Sequence, residues 1–377
     1  MSLQILRYTL FESNSSGHGG DKRTAQISDL LKDSGLSWER IPTGMENPKI
    51  SFYYFVKFLR NLFLFLKVFL IIKRFFHPYR FYCSLSLANR FKGIFLEGKK
   101  DDKRILLWES TKSENTFVVP YFSRKGYKII GLPHNIESLV PGQRSGITNR
   151  KSPDWFIEEI KIFKKCDKVF AISIEDTLLF RQFGVNAFYL PYYPDERRYN
   201  YLLSIRTART KKAQSSVMRK KVLMLGSAIN LPTRMGMLDR IQFIEENGLN
   251  FFDLIVAGYG TEQLKKTAKD SNIKVIGELT EKGLSEILIN IDVLIVHQPP
   301  TSGALTRIIE MLIAGVPVLS NFDGARSYYN VNGVYVYMDN DQLMRLLKSD
   351  LPVPLLPQKP EKEILFFKET VSGMITC

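Results

Sequence analysis

The sequence is poor in the residues that build disulfide frameworks and metal centres. It holds three cysteines and four histidines in 377 residues, and Cys83, Cys166 and Cys377 form no spaced pair. A disulfide scaffold and a structural zinc site are therefore excluded as the basis of the fold. A Ser-His-Asp arrangement, a metal-ligand spacing and a phosphate-binding P-loop are also missing. The cysteine content suits a reducing compartment.

Acidic residues and long uncharged runs are missing from one stretch of the chain. There is no Asp or Glu between Glu46 and Glu97, and residues 50–76 are dominated by Phe and Leu. The uncharged runs are too short to span a bilayer. At helical spacing the basic residues fall in one narrow arc, which predicts a helix at an anionic membrane interface. The alternative is a buried domain helix whose basic side chains reach solvent. The arc consists of Lys57, Arg60, Lys67 and Arg74.

Positive charge exceeds negative charge by 15, with 53 Lys and Arg against 38 Asp and Glu. This excess indicates anionic partners: nucleic acid, an acidic membrane or phosphorylated substrates. A 45% apolar chain of this length has enough core for two domains. The first residues predict a short strand and then a polar loop rather than a secretory signal, so a cytoplasmic protein is expected.

The first strand is followed by glycines and a helix. Residues 3–10 are mostly apolar, Gly19 and Gly20 come next, and Ile27, Leu30 and Leu31 then follow at helical spacing. A strand, a glycine loop and a helix in this order are typical of a nucleotide-binding βα unit. The dinucleotide fingerprint is absent, so the pattern alone is weak.

A second motif follows a predicted parallel strand at residues 128–132. The string PHNIESL places His134 at the carboxyl end of that strand, where open α/β sheets bind their ligands. A lone histidine is more often structural, and His134 is the leading candidate among first-domain residues.

Residues 297–321 read as a loop, a helix and a buried strand. Thr301 or Ser302 is expected to cap the helix, and Gly303 lets a ligand approach its first turn. Arg307 near a helix N-terminus suits an anion such as a diphosphate. Glu310, one turn further on, is placed to accept hydrogen bonds from adjacent hydroxyls. An ordinary helix–strand unit with a surface Arg–Glu pair explains this stretch equally well.

These strings resemble the donor motifs of GT-B glycosyltransferases, in particular the family 4-like group. Glu310 matches the second Glu of the family's Glu-x7-Glu pattern, which binds the nucleotide ribose, and AGVPVLSN matches the strand after it. Ser302 stands where the first Glu, which reaches the sugar, is expected. The resemblance further implies His134 beside the donor sugar and phosphate, Arg234 and Arg307 at the donor, and Gly19 and Gly20 at the interdomain cleft. Ser302, Gly303 and Thr306, at the start of the helix that carries Arg307, complete the predicted donor-binding residues.

The resemblance implies an α/β fold of GT-B architecture, with two Rossmann-like domains whose parallel sheets face a cleft. The strand–loop–helix order independently indicates doubly wound domains. The expected layout is an N-terminal domain at 1–196 that carries the membrane-interface helix 50–76, a basic linker at 197–221, and a nucleotide-sugar domain at 222–350. A Pro-rich crossover and a final helix returning to the first domain occupy 351–377.

The expected function is a retaining hexosyltransferase. It would move a sugar from a nucleotide-sugar donor to a glycan or lipid-linked acceptor at the cytoplasmic face of an anionic membrane, without metal or cofactor. Two alternatives stay open. One is a nucleic-acid-binding basic protein, although no nucleic-acid motif is present. The other is a GT-B relative with altered chemistry, either a sugar-nucleotide epimerase or an inactive scaffold, which Ser302 keeps in view.

Overall fold

A computed structural model describes residues 3–41, 62–80, 103–109, 111–112, 115–212 and 219–376. The chain divides into two compact units. The first comprises Met1–Ser13, Ile27–Pro191 and Pro360–Cys377, and the second comprises Asn14–Gln26 and Tyr192–Lys359. The chain thus changes unit after residues 13, 26, 191 and 359. The sequence did not predict that the glycine-rich segment 14–26 groups with the second unit.

The first unit is built on a parallel sheet, which has six strands among the described residues, in the order β2-β1-β3-β4-β5-β6. Leu106 pairs with Leu6 on one side and with Ile129 on the other. The strands are β1 (Leu3–Tyr8), β2 (Glu39–Arg40), β3 (Lys103–Trp108), β4 (Lys128–Gly131), β5 (Lys168–Ala171) and β6 (Ala187–Tyr189).

Both faces of this sheet are covered, as the continuous apolar runs of its strands require. Leu106 and Trp108 belong to the core on one face, whereas Ile105 and Leu107 belong to the core on the other. The described helices of this unit include the C-terminal part of α1 (Gly19–Asp33), α2 (Leu62–Ile72), α3 (Val118–Arg124), α4 (Asp154–Phe163), α5 (Ile174–Gln182) and α11 (Glu361–Thr376).

The final helix α11 belongs to the first unit, as the GT-B prediction requires. It buries Ile364, Phe367 and Val371 in the same core as Ile27 and Leu30 of α1. These apolar residues recur at helical spacing, so one stripe of α11 meets the sheet while its other faces stay polar or exposed.

The second unit contains another parallel sheet, again six-stranded in the described chain, in the order β12-β11-β10-β7-β8-β9. Val222 pairs with Leu254, and Leu294 pairs with Val318. The strands are β7 (Lys220–Leu225), β8 (Phe252–Ala257), β9 (Ile273–Gly277), β10 (Val293–Val296), β11 (Val318–Asn321) and β12 (Val334–Tyr337).

Helices accompany this sheet in strand–helix alternation, so this unit is doubly wound as well. On one face, Val222 and Val256 pack with Ile241 and Leu343 from two of the helices. The helices are α6 (Glu196–Lys211), α7 (Leu231–Glu246), α8 (Glu281–Asn290), α9 (Thr306–Ile313) and α10 (Asn340–Lys348). The two described sheets with their helices confirm the α/β class expected from the sequence.

The stretch 197–221, expected to be a basic linker, is largely the helix α6. Asp195 accepts a hydrogen bond from the Arg198 backbone N–H at 2.8 Å and caps the helix. Leu202 and Ile205 are buried on one face. Two of the basic residues donate to carbonyls near helix ends: Arg206 Nη1 to Leu312 O at 2.9 Å and Arg209 Nη1 to Ile291 O at 2.7 Å. The charge run therefore forms a packed helix within the second unit.

The proposed membrane-interface helix is described only from α2 onward, so Lys57 and Arg60 lie outside the described residues. Helix α2 buries Val68 and Ile72 in the first unit's core. Its other side exposes Phe63, Leu66 and Leu70 by 47%, 48% and 67%. None of the described helices combines the length and apolarity needed to cross a bilayer.

Candidate functional site

Helix α9 begins later than the sequence predicts. Thr306 is its first residue, and Leu305 precedes it without a side-chain cap. The expected caps Thr301 and Ser302 are wrong, because Gly303 adopts φ 84° and turns the chain before the helix starts. Because the residue at the N-cap position is a leucine, no side chain at that position accepts a hydrogen bond from the first-turn N–H groups of α9.

The loop before α9 is held by reciprocal side-chain bonds. The Asn321 amide accepts from Gln298 N at 3.0 Å and donates to Gln298 O at 2.7 Å. Gln298 Nε2 also donates to Thr233 Oγ1 at 3.1 Å. His297 Nδ1 lies 2.8 Å from Tyr337 Oη. The start of the loop is therefore fixed to the ends of strands in this sheet. Ser302, which is 6% exposed, and Gly303 follow in the same loop.

Glu310 lies at the centre of a buried network in the second unit. Its Oε2 accepts from Lys22 Nζ at 2.6 Å and from Arg198 Nη2 at 2.9 Å. Its Oε1 accepts from Tyr192 Oη at 2.9 Å. The Glu310 side chain is 1% exposed, Arg198 is 2% exposed and Lys22 is 12% exposed. A ribose hydroxyl can reach this carboxylate only if one of these donors moves.

The network holds its carboxylate ionised. Burial alone would raise the pKa of Glu310, but the charges and hydrogen bonds of Lys22 and Arg198 lower this pKa to about 2. The pKa of Lys22 is lowered by burial and by the nearby positive charges of Arg198 and Arg307, against the attraction of Glu310. Two cations, Lys22 and Arg198, thus share one carboxylate, and the charge of Arg307 acts on Lys22, so the cluster has excess positive charge.

Among the residues that the structure describes, no carboxylate pairs with Arg307, the third cation of this cluster. Its side chain lies over Gly226 at the end of β7, where a Cβ on Gly226 would come within 2.7 Å of Arg307 Nη1. Its Nε is buried without a hydrogen-bond partner. Burial lowers the pKa of Arg307 to about 10. A desolvated guanidinium without a carboxylate is costly, and an anionic ligand would remove that cost.

The N-termini of two helices meet beside the cluster. Gly19 is the first residue of α1, and a Cβ on Gly19 would lie 3.4 Å from Thr306 Oγ1 at the start of α9. Ser16, just before α1, hydrogen-bonds Glu281 in the first turn of α8. Helix N-termini carry partial positive charge and uncommitted N–H groups. The structure thus brings together Gly19, Gly20, Thr306, Arg307 and Glu310.

Arg234 lies in the first turn of α7, the helix after β7. Its guanidinium forms no hydrogen bond or ion pair in the part of the chain that the structure describes, and no bond connects it to Glu310. It shares the carboxyl edge of the sheet with Arg307, because β7 ends immediately before Gly226. Its role at the donor remains a prediction.

His134 lies in the first unit, three residues beyond the end of β4. Its ring stacks on Phe11, which follows β1, with the ring centroids 4.8 Å apart and the planes 14° from parallel. The next residues form a 3-10 turn, Glu137–Leu139. Glu159 of α4 accepts hydrogen bonds from the backbone N–H groups of Glu137 at 2.9 Å and Ser138 at 3.0 Å. His134 is therefore at the carboxyl edge of the sheet, on a fixed loop.

Two of the proposed membrane-interface residues are described. Lys67 Nζ lies 5.6 Å from the centroid of the Phe63 ring. The guanidinium carbon of Arg124, in α3, lies 4.2 Å from the same centroid. Arg74 pairs with Asp154 at 3.0 Å. Lys67 thus belongs to an exposed apolar and basic surface, whereas Arg74 already has an acidic partner.

The described part of the chain contains no cluster of side chains that could bind a metal ion. In residues 3–41, 62–80 and the later described segments, no group of three or more His, Cys, Asp and Glu side chains could hold an ion. The expectation of a metal-free site remains a prediction.

Sequence reasoning missed three members of the Glu310 network: Lys22, Arg198 and Tyr192. Lys22 follows Gly19 by three residues and Gly20 by two, and therefore lies within α1 just beyond the glycine loop. Arg198 precedes Leu202 and Ile205 at helical spacing, a signal hidden by the basic composition of the stretch. Phe11, the stacking partner of His134, carried no motif.

Comparison with known proteins identifies the fold. No protein-family model and no curated protein matches the sequence. Among solved structures, sucrose-phosphate synthase from Thermosynechococcus elongatus matches with a TM-score of 0.59 and 12% identity, covering 99% of this chain and 97% of that one. The α,α-trehalose 6-phosphate synthase from Burkholderia multivorans gives 0.55 and 12%, covering 100% and 93%.

HepE from Anabaena, solved with UDP and glucose, matches with a TM-score of 0.54 and 10% identity over 99% of this chain and 97% of that one. Near-complete coverage of both chains, together with the two parallel sheets and the returning helix α11, confirms the predicted GT-B fold. At these identities the similarity establishes the fold and does not single out family 4.

Proposed function

We propose that this protein is a retaining glycosyltransferase that moves a sugar from a nucleoside diphosphate sugar to a glycan or lipid-linked acceptor. The observation that carries this proposal is the excess of buried positive charge: Lys22 and Arg198 share the single carboxylate of Glu310, and Arg307 is buried close enough to Lys22 to lower its pKa. Two helix N-termini meet beside it. A diphosphate supplies the negative charge that this cluster lacks.

Donor binding requires an exchange at Glu310. The resemblance assigns Glu310 to the ribose, yet its carboxylate is enclosed by Lys22, Arg198 and Tyr192. We expect Lys22 to leave Glu310 for the donor phosphate, so that a ribose hydroxyl takes its place. This exchange keeps every buried charge compensated, because the amine moves from one anion to another.

The leaving group is stabilised by positive charge from the protein. Arg307, Lys22 and the N–H groups at the starts of α1 and α9 would face the diphosphate as the sugar bond breaks, and Arg234 is a further candidate. Preorganised donors at developing negative charge contribute much of the rate acceleration in such sites. No metal is needed in this scheme, since protein cations carry the charge.

His134 is the proposed catalytic group of the first unit. Its imidazole, fixed by stacking on Phe11, would hydrogen-bond a hydroxyl of the donor sugar or its phosphate. A contact that strengthens in the transition state raises turnover more than donor affinity. Retention of anomeric configuration is inferred from the motif resemblance, with the acceptor attacking on the face from which the diphosphate departs.

The proposed location is the cytoplasmic surface of an anionic membrane. Phe63, Leu66 and Leu70 form an exposed apolar stripe, and Lys67 and Arg124 flank its Phe63 end. An apolar face bordered by cations suits the boundary between headgroups and acyl chains. A lipid-linked acceptor would be presented at the same surface.

The test is a binding and transfer screen. Calorimetry with UDP, GDP, ADP and CDP in the presence of EDTA should show at least one nucleoside diphosphate binding with a dissociation constant below about 1 mM, equivalent to about −4 kcal/mol. The corresponding nucleotide-sugar should then be consumed when glycan or lipid-linked acceptors are added. UDP is the first probe, since HepE was solved with it. Absence of binding to all four nucleotides would overturn the proposal.

A further inference from the structure

The buried side chain of Glu159 is bonded to the loop that carries His134. Glu159 lies in α4 and is 8% exposed. It accepts three hydrogen bonds: from Glu137 N at 2.9 Å, from Ser138 N at 3.0 Å and from Ser138 Oγ at 2.6 Å. All three come from the 3-10 turn that begins three residues after His134.

Helix α4 is a rigid support for this contact. Ile160 and Phe163 are buried in the first unit's core, so the helix cannot shift without disturbing that core. The two backbone N–H groups at the start of the turn would otherwise lack intraturn partners. A side-chain oxygen pair that takes both of them fixes the position of the peptide planes relative to α4.

The imidazole has a second, independent support. Phe11 stacks on the His134 ring from the loop after β1. Phe11 fixes the plane of the imidazole ring, and Glu159 fixes the backbone segment that carries His134. Misplacement of a reacting group by about 1 Å costs up to about 100-fold in rate, so supports of this kind affect turnover.

We infer that Glu159 is a positioning residue, which holds the 3-10 turn Glu137–Leu139 and thereby the imidazole of His134 in place for the reaction. Its effect on catalysis rests on the proposed function. Its effect on the loop and on the ring does not, so the two can be measured separately.

The chain supplies a matched control in the adjacent residue. Glu158 lies on the same helix and is similarly buried, with an exposure of 5%. Its carboxylate accepts from Thr148 Oγ1 at 2.8 Å and forms no bond to the turn after His134. A general effect of removing a buried carboxylate from α4 would therefore appear in Glu158→Gln as well as in Glu159 variants.

The first measurement does not depend on catalysis. In Glu159→Ala, amide hydrogen exchange of Glu137 and Ser138 should accelerate at least about 10-fold, the loss of about 1.4 kcal/mol of protection. The His134 imidazole proton resonance, assigned by its loss in His134→Gln, should move as the ring leaves Phe11. Glu159→Gln, which keeps one acceptor oxygen, should fall between wild type and Glu159→Ala. Glu158→Gln should leave both signals unchanged.

The second measurement is kinetic. On folded protein, Glu159→Ala should lower kcat about 10-fold or more while the donor dissociation constant stays within about 2-fold, with partial rescue in Glu159→Gln. If Glu159→Ala does not fold, Ser138→Ala, which removes one of the three bonds, replaces it with a smaller expected effect.

Unchanged exchange and an unmoved His134 resonance would overturn the inference, whatever the activity. A moved resonance with unchanged kcat per folded molecule would also overturn it. Failure of the wild-type protein to bind any nucleoside diphosphate would instead count against the proposed function, and the resonance measurement would still decide whether Glu159 positions His134.

Discussion

The amine of Lys22 lies 2.6 Å from Oε2 of Glu310, although 288 residues separate them in the chain. The contact joins the first turns of α1 to the middle of α9. The carboxylate is 1% exposed, so this ion pair is almost wholly removed from water. A buried pair of this kind contributes little net stability but makes each partner depend strongly on the other.

Removal of the Glu310 charge should therefore destabilise the fold. Glu310→Ala leaves Lys22 and Arg198 buried beside each other without a carboxylate, and we expect a loss of about 3–5 kcal/mol in the free energy of unfolding. Denaturant titration measures it.

The partner substitution provides the control. Lys22→Met in the Glu310→Ala background should restore part of the loss, so the two changes should be non-additive by about 1–3 kcal/mol. Additive free energies across this double-mutant cycle would show that the pair does not interact in solution.

Arg307 should behave in the opposite way, because no carboxylate in the described part of the chain pairs with it. Arg307→Met removes a desolvated charge and should leave the melting temperature unchanged or higher. Affinity for the nucleoside diphosphate should fall by about 1.5–3 kcal/mol, typical of a lost bond to a charged group. Calorimetry and thermal unfolding on one preparation measure both. The exposed Arg345→Met in the same unit is the control and should change neither; equal loss of affinity in both variants would remove Arg307 from the site.

His134 should affect turnover more than binding. His134→Gln should lower kcat about 100-fold or more, the usual effect of a positioned catalytic group, with donor affinity nearly unchanged. Phe11→Leu retains an apolar contact but loses the stacked plane, and should give a smaller loss in the same direction. Single-turnover transfer with parallel melting curves separates these effects from unfolding. Full turnover by a less stable His134→Gln protein would assign the histidine a structural role only.

Glu159 predicts a pH dependence of stability. Burial raises its pKa to about 8, against the bonds from Ser138, while Glu137 adds a small contribution in the raising direction. The folded protein then binds a proton that the unfolded chain releases near pH 4.5. Stability is full below that pH and declines as pH rises toward 8.

Urea titrations between pH 4.5 and 8 measure this decline, and Glu159→Gln should flatten it. Burial also raises the pKa of the neighbouring Glu158, so Glu158→Gln should flatten the curve in the same direction. An unchanged slope in Glu159→Gln would show that this carboxyl titrates normally in the folded protein.

Membrane docking can be tested on charge and on apolar surface separately. The charge test changes the four proposed membrane-interface residues to Gln, namely Lys57, Arg60, Lys67 and Arg74. This variant should lose binding to anionic liposomes, since each basic residue contributes about 1 kcal/mol near such a surface. Arg74 should contribute least, because Asp154 already neutralises it.

The apolar half of the surface is removed by Phe63→Ser, Leu66→Ser and Leu70→Ser together. This variant should lose flotation with anionic vesicles yet still bind nucleotide. The control exchanges exposed apolar residues of the second unit, Phe322→Ser and Met338→Ser, which should float normally. Normal flotation of the Phe63 variant would exclude α2 as the docking surface.

Most strands were predictable from the sequence, because continuous apolar runs indicate burial on both sheet faces. Leu106 and Ile130 follow that pattern, and His134 was located from it. The start of α9 could not be predicted, because the sequence does not show whether a glycine after a capping residue continues the helix or turns the chain. Gly303 turns it.

The pairing of Lys22 with Glu310 could not be predicted either. Local patterns report periodicity within one element, whereas this contact depends on how distant segments assemble. For the same reason, the basic composition of residues 197–221 suggested a solvated linker, while the buried positions of Arg198, Leu202 and Ile205 show a packed helix. The resemblance supplied candidate residues for a donor site, and the structure shows which side chains contact them.

Helix α1 is divided between the two units: residues 19–26 group with the second and residues 27–33 with the first. A fragment covering Tyr192–Lys359 would therefore lack Lys22, and its Glu310 would keep only Arg198 and Tyr192. Likewise, the first unit cut after Pro191 would lose α11 and the apolar stripe that α11 places on its sheet. Neither unit is therefore a contiguous block of sequence, and any single cut near residue 191 removes a segment from both.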